Sequence, residues 1–321
     1  MKKHLLFVFF AAFSALANAQ QDPQLTNWMF DRLSFNPAAA GIDRSHCLTL
    51  FHRQQWTGLS GNPATSLFNY NGYANVGYNK TQLIGIGLSA YNEGLGQETN
   101  TVMRLAGAYH LNLGASTLSV GVHLGFLNKQ IGNNWNPIDL GDASIPLQAQ
   151  SQTALDVNIG AMFYQTGKYY VGLSATHLPA TTLHDVNVQL ARHYYLMGGY
   201  ELPIGDTDFR LRANGLVKTS LKSKTAIDVN ANVLWNDMVW AGLSFRPGDA
   251  IAPMLGFQKC SSRMLNKTKQ LTTCFRIGYS YDVTTSEIRE YSSGSHELFG
   301  TFCFNFTKVP LRAKHGNPRF L

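Results

Sequence analysis

The chain has 321 residues, of which 45% are apolar and only 14% charged, with a formal net charge of +7. So few ions cannot coat a water-soluble domain, for which about 25% is usual, whereas a membrane barrel needs no such coat because half of its strand positions face lipid. The Lys and Arg residues are dispersed, with no basic run longer than a pair, which argues against nucleic acid and in favour of lipid-headgroup and lipopolysaccharide phosphates as their counterparts.

Taken in chain order, residues 1–19 read as a secretory signal peptide. Lys2 and Lys3 form its charged start, Leu5 to Leu16 its apolar stretch, and Ala17-Asn18-Ala19 its small-residue cleavage site, so the mature chain is expected to begin at Gln20. Beyond it no apolar stretch approaches the ~18 residues of a helical membrane span. Residues 20–43 form a separate N-terminal segment, too short and too interrupted by Pro for a long helix. It is expected to plug the mouth of a barrel from the periplasmic side.

Residues 44–306 alternate between apolar and polar positions, the mark of strands with two different faces. In Thr117–Phe126, Leu118, Val120, Val122, Leu124 and Phe126 oppose Ser119, Gly121, His123 and Gly125. Leu155–Phe163 and Ile227–Trp235 alternate in the same way. The polar faces carry Gly, Ser, Asn, Asp, Arg and His rather than the Lys and Glu of a sandwich that faces bulk water, and so suit a lumen. The predicted fold is all-β, an antiparallel transmembrane barrel of about 14 strands. The expected spans are 44–53, 65–75, 82–92, 100–113, 116–129, 153–165, 168–178, 190–203, 207–219, 225–236, 238–247, 250–259, 273–284 and 296–306. Aromatics near strand ends, among them Tyr91, Phe126, Phe163, Trp235 and Trp240, are expected in interfacial girdles.

An even strand number places both barrel ends on the periplasmic side. Gly114-Ala115, Thr166-Gly167, Gly205-Asp206 and Asn236-Asp237 then become short periplasmic turns, and 130–152, 179–189 and 285–295 become longer outer loops. The segment 260–272 breaks this rule as a long, irregular periplasmic loop. Cys260 and Cys274 bracket it and are placed to close it as a disulfide in an oxidising compartment. Cys47 and Cys303 fall on the first and last strands, where a second bridge and two buried thiols are both compatible with the spacing. Residues 307–321 form a basic tail, expected in the periplasm, where docking of a partner and simple fraying weigh equally.

Several separated motifs occur in order: Gln21-Asp22-Pro23-Gln24, then Met29-Phe30, Asn36-Pro37-Ala38 and Gly41. Arg53-Gln54-Gln55-Trp56-Thr57-Gly58 and Asn62-Pro63-Ala64-Thr65 follow, with Arg192-His193-Tyr194-Tyr195, Ser293-Gly294-Ser295-His296-Glu297 and Asn317-Pro318-Arg319-Phe320 further on. Over nearly the whole mature chain this order resembles the PorP/SprF family of the type IX secretion system of Bacteroidota. The resemblance implies an integral barrel of the bacterial outer membrane, engaged in protein secretion and, in some members, gliding motility. It implies as partners the C-terminal sorting domain of a secreted adhesin or other cargo, and periplasmic secretion components. It implies neither an enzyme nor a cofactor.

Candidate residues follow from these motifs. Asp22, Pro23, Asn36, Pro37, Gly41, Arg53, Gln55, Trp56 and Gly58 are expected to shape the N-terminal segment and the barrel seam, with partner contact as the second role. Arg104, Arg192, Arg210 and Arg212 are read as lumen cations. They are expected to pair with Asp156, Asp228 and Glu201, because buried charges need partners; binding of an anionic ligand is the alternative. Among the outer loops, Trp135, Pro137 and Pro146 offer rigid apolar contact. Chemistry is poorly supported: His110 and His123 fall in lumen phase, and no GxSxG elbow is present. No Cys or His pair has metal-ligand spacing, so no metal is expected.

Overall fold

The computed structural model describes residues 22–76, 82–135, 146, 148–220, 225–266 and 269–308. The signal-peptide reading of residues 1–19, all but the first residues of the 307–321 tail, and Pro137 lie outside the described residues. Three short helical turns, at Trp28–Phe30, Arg32–Phe35 and Pro37–Ala39, precede the strands. The strands are β1 (His46–Gln54), β2 (Ala64–Val76), β3 (Gln82–Leu95), β4 (Glu98–Leu113), β5 (Ser116–Ile131), β6 (Gln150–Gln165), β7 (Tyr169–Thr176), β8 (Thr182–Leu183), β9 (Val188–Gln189), β10 (His193–Pro203), β11 (Phe209–Thr219), β12 (Ala226–Trp235), β13 (Val239–Arg246), β14 (Ala250–Asn266), β15 (Lys269–Thr284) and β16 (Ser295–Lys308).

Fourteen of these close into one antiparallel barrel. Each pairs with its sequence neighbour and β1 meets β16, while β8 and β9 form a small separate hairpin in the loop between β7 and β10. The predicted strand count and hairpin order therefore hold. The alternation sets which way each face points. Leu105, Leu124, Phe126, Leu173, Leu243 and Leu255 stand exposed on the outer wall, and Ser119, His123, Asp156, Asn158, Asp228, Asn232 and Glu297 are buried inside it. This polarity, apolar outward and polar inward, is that of a barrel in lipid. Because side chains repeat every two residues, a one-residue slip between strands would exchange the two faces, and the fit with lipid fixes the register.

The short turns form where the sequence can supply positive φ. Asn236 and Asn236's neighbour Asp237 both adopt it, with φ of 49° and 54°, in the turn between β12 and β13. Such a turn matches the twist of the two strands it joins.

Three expectations change. The segment 260–272 is not an irregular loop. β14 and β15 run on through it as a paired hairpin, and Cys260 faces Cys274 across the ladder in a disulfide. Pairing between β13 and β14 stops at Phe257, so β14 runs on from there for roughly 30 Å of strand paired to β15 alone, while β15 stays paired to β16 as far as Lys269. Along this stretch Lys259–Leu265 are exposed without break, and the alternation that marks the other strands fades. Second, Tyr91 and Trp240 are not girdle residues. Both are buried in the interior, as the inward member of their alternating pairs. Third, Cys47 and Cys303 are bridged, tying β1 to β16 across the closing seam.

Candidate functional site

Residues 22–45 lie within the barrel rather than at its mouth. Asp22 stands beside Thr176 and His177, where β7 ends in the long β7–β10 loop. Asp43 and Ser45 share a cavity with Thr166, Gly167 and Lys168, in the turn at the opposite end. The segment thus runs the length of the lumen and then enters β1.

Its middle part is fitted to the wall by close backbone approach. Asn36 caps the Pro37–Ala39 turn by accepting from the Ala38 amide at 2.9 Å, and its own amide donates to the carbonyls of Ala161 and Leu173. Ser119 Oγ donates to the Ala38 carbonyl at 2.8 Å, and Ser174 Oγ to that of Phe35 at 2.6 Å. The wall strands carry Gly where the segment touches them. A Cβ at Gly85 would overlap the Ala40 carbonyl, one at Gly121 the Pro37 backbone, and one at Gly160 the Asn36 side chain. Gly41, at φ +76°, turns the chain toward β1 and donates to Asn71 at 2.7 Å. Trp28, Leu33 and Phe35 are buried, and the Phe30 ring lies 4.9 Å from those of both Trp240 and Phe299, tilted against the first and stacked on the second.

Two charged clusters pin the segment's first part. In the larger, Arg53 from β1 donates to Glu297 at 3.2 Å, to Asp282 at 2.8 Å and to Thr26 at 2.8 Å. Glu297 also accepts from the backbone amides of Thr26 and Asn27, both at 2.7 Å. Arg246 adds bonds to Asp228 at 2.5 Å and Asp249 at 2.7 Å, and Lys218 lies 3.2 Å from Asp228. Arg53, Asp282 and Glu297 are each at most 2% exposed, so every charge depends on its partner.

In the smaller cluster His177 bridges two carboxylates. Its Nε2 lies 2.8 Å from Asp22 and its Nδ1 2.9 Å from Asp156, which is itself paired with Arg104. Tyr195 donates to the other oxygen of Asp22 at 2.6 Å. Burial works against the charge on Asp22, but the adjacent His177 and His193 outweigh it and hold this carboxyl well below the usual range. Burial likewise disfavours a charged His177, yet Asp22 and the bonds to Asp156 raise it to about 9. Further along, Asp31 accepts hydrogen bonds from Ser34 and Asn69.

The motif residues separate into four groups. Asn36, Pro37 and Gly41 form the wall-fitted turn, and Asp22, with Pro23 next to it, anchors at the β7 end of the lumen. Arg53 is the buried hub. Gln55, Trp56 and Gly58 lie just past β1 and meet the Ser293–Glu297 motif: Trp56 N donates to Ser295 Oγ at 3.0 Å, and Thr57 N to the Gly294 carbonyl at 2.8 Å. Gln55 accepts from Asn62, and Trp56 and Gly58 adopt φ of 48° and 99°. Of the predicted lumen cations, Arg104 pairs with Asp156, and Arg210 and Arg212 pair with Glu201. Arg192 does not belong with them. It precedes β10, is exposed, and donates to the Leu178 carbonyl, because the strand begins one residue later than it. Arg246, Asp282 and His177 went unrecognised as partners; the alternation of their strands marked Arg246 and Asp282 as inward, and nothing local marked His177.

A family model described as "Type IX secretion system membrane protein PorP/SprF" matches residues 17–302. No curated protein matches the chain. Among solved structures, the CymD monoaromatic hydrocarbon channel is similar at 11% identity and a TM-score of 0.45, over 89% of this chain and 93% of that one. A Pseudomonas aeruginosa FadL homologue is similar at 11% and 0.42, over 89% and 94%. The Acinetobacter baumannii outer membrane protein Omp33 is similar at 8% and 0.40, over 81% and 99%.

Proposed function

The chain belongs to the PorP/SprF family of type IX secretion system membrane proteins, and from that premise we propose that it is a non-enzymatic outer-membrane scaffold. It holds a secreted or surface protein by that protein's C-terminal sorting domain and couples it to periplasmic components of the machine. The end that carries the loops after β5, β7 and β15 faces outward. The end where β1 begins and β16 stops faces the periplasm, as expected of an even-stranded barrel. Lipid covers the apolar wall, and the dispersed basic residues meet lipopolysaccharide phosphates.

One observation favours a scaffold over a diffusion channel: the chain's own residues 22–42 occupy the lumen and are tied to it by hydrogen bonds from Thr26 and Asn27 to the buried carboxylates of Asp282 and Glu297 and by the Asp22–His177 pair. Moving them aside would part Asp22 from His177 and take hydrogen bonds from two buried carboxylates at once, so the segment acts as a fixed plug rather than a gate. The test is a pull-down of the tagged protein from its native outer membrane in mild detergent, with mass spectrometry of what stays bound. Recovery of a large secreted protein held by its C-terminal domain, or of periplasmic secretion components, supports the reading. Recovery of the barrel alone, together with a steady ion current in planar bilayers, replaces it with a passive channel or hydrophobic-substrate transporter.

A further inference from the structure

We propose that Asp22, His177 and His193 form a binding site for one zinc-class divalent cation at the outer end of the lumen. The three side chains come from separate parts of the chain: the start of the lumen segment, the residue just past β7, and the first residue of β10. One ligand atom from each lies within 4.8 Å of the others. Ligands about 2.0–2.1 Å from a tetrahedral zinc sit roughly 3.4 Å apart, so small side-chain rotations complete the set. Two imidazoles and one carboxylate suit zinc and its first-row neighbours better than calcium or magnesium, which take mostly oxygen.

Independent features of the surroundings point to a ligand. The second ring nitrogen of His177 is held at 2.9 Å by Asp156, and Asp156 is fixed in turn by Arg104. A carboxylate behind the imidazole is the arrangement that orients a metal-bound histidine and strengthens it as a donor. Tyr195 and Thr176 both hold the Oδ2 atom of Asp22, which leaves Oδ1 directed at His177 Nε2. The three side chains also line a cavity of about 510 Å³, shared with Tyr91, Glu93 and Lys129. That cavity leaves room for a water as fourth ligand. On binding, the ion replaces the proton shared by His177 Nε2 and Asp22, and that proton leaves to solvent. The ion would staple the start of the lumen segment to two separate wall elements.

The test uses the full chain without a histidine tag, folded in detergent, stripped with a chelator and dialysed against zinc chloride. Bound metal is read by elemental analysis, and affinity by calorimetry. The expected result is one zinc retained per chain. His193→Gln, which keeps the His177–Asp22 bond, loses it. Asp156→Asn, acting only as a positioning change, weakens it by roughly 10–100-fold. His52→Gln, on the exposed face of β1, leaves it unchanged. Gel mobility of unheated samples confirms that each variant is folded, and Asp156→Asn decides the case if His193→Gln is not. Failure of the unsubstituted chain to retain zinc overturns the proposal and leaves His177 as an ion-pair bridge alone. Equal retention by His193→Gln and Asp156→Asn overturns it as well.

Discussion

At the scale of single residues, Arg53 is the most constrained side chain in the lumen. It satisfies two carboxylates that have no access to water. Arg53→Ala leaves Asp282 and Glu297 buried without it and is expected to cost about 3–5 kcal/mol, read as a lower urea midpoint in detergent micelles. Arg53→Lys recovers part of that loss, since an ammonium keeps the charge without the planar fork. The Arg53 hub was only half legible in the sequence. Its motif marked it out, but its two carboxylate partners lie more than two hundred residues away, and no local pattern links Thr26 to Glu297.

At the scale of elements, what could be read depended on the solvent each strand meets. β5, β6 and β12 were recognisable because lipid on one side and a polar lumen on the other impose a strict two-residue alternation. The far part of β14 is exposed on both faces, so Lys259–Leu265 carries no such signal, and 260–272 reads as a loop. The loop between β7 and β10 blurred the start of β10 by a few residues, enough to place Arg192 in the lumen by mistake. The Cys260–Cys274 bridge should matter only locally. Replacing both with Ser is expected to leave the heat-dependent gel mobility of the barrel unchanged while speeding hydrogen exchange across residues 258–266. The effect is bounded by the ~3 kcal/mol expected for closing a loop of this size.

At the scale of the molecule, the outer wall and the lumen answer to different solvents, and substitutions should divide accordingly. Leu124 is 57% exposed and faces outward in the middle of β5. Leu124→Arg is expected to cost about 2–4 kcal/mol, measured as the folding equilibrium in phospholipid vesicles. The adjacent inward residue His123 meets Asn158 at 3.3 Å and lies against a polar interior; His123→Gln should cost much less in the same assay.

The path of residues 22–45 has a mechanical consequence. The main chain is anchored to β7 and β10 at one end of the lumen and to β13, β15 and β16 through Thr26 and Asn27. It then crosses to the other end and continues covalently into β1, which Cys47 locks to β16. A hollow tube flattens easily under sideways load, but this one has a strut joined to opposite walls. Tension applied at the outer loops reaches the far rim by two routes, through the hydrogen-bonded staves and along a single covalent tie inside them.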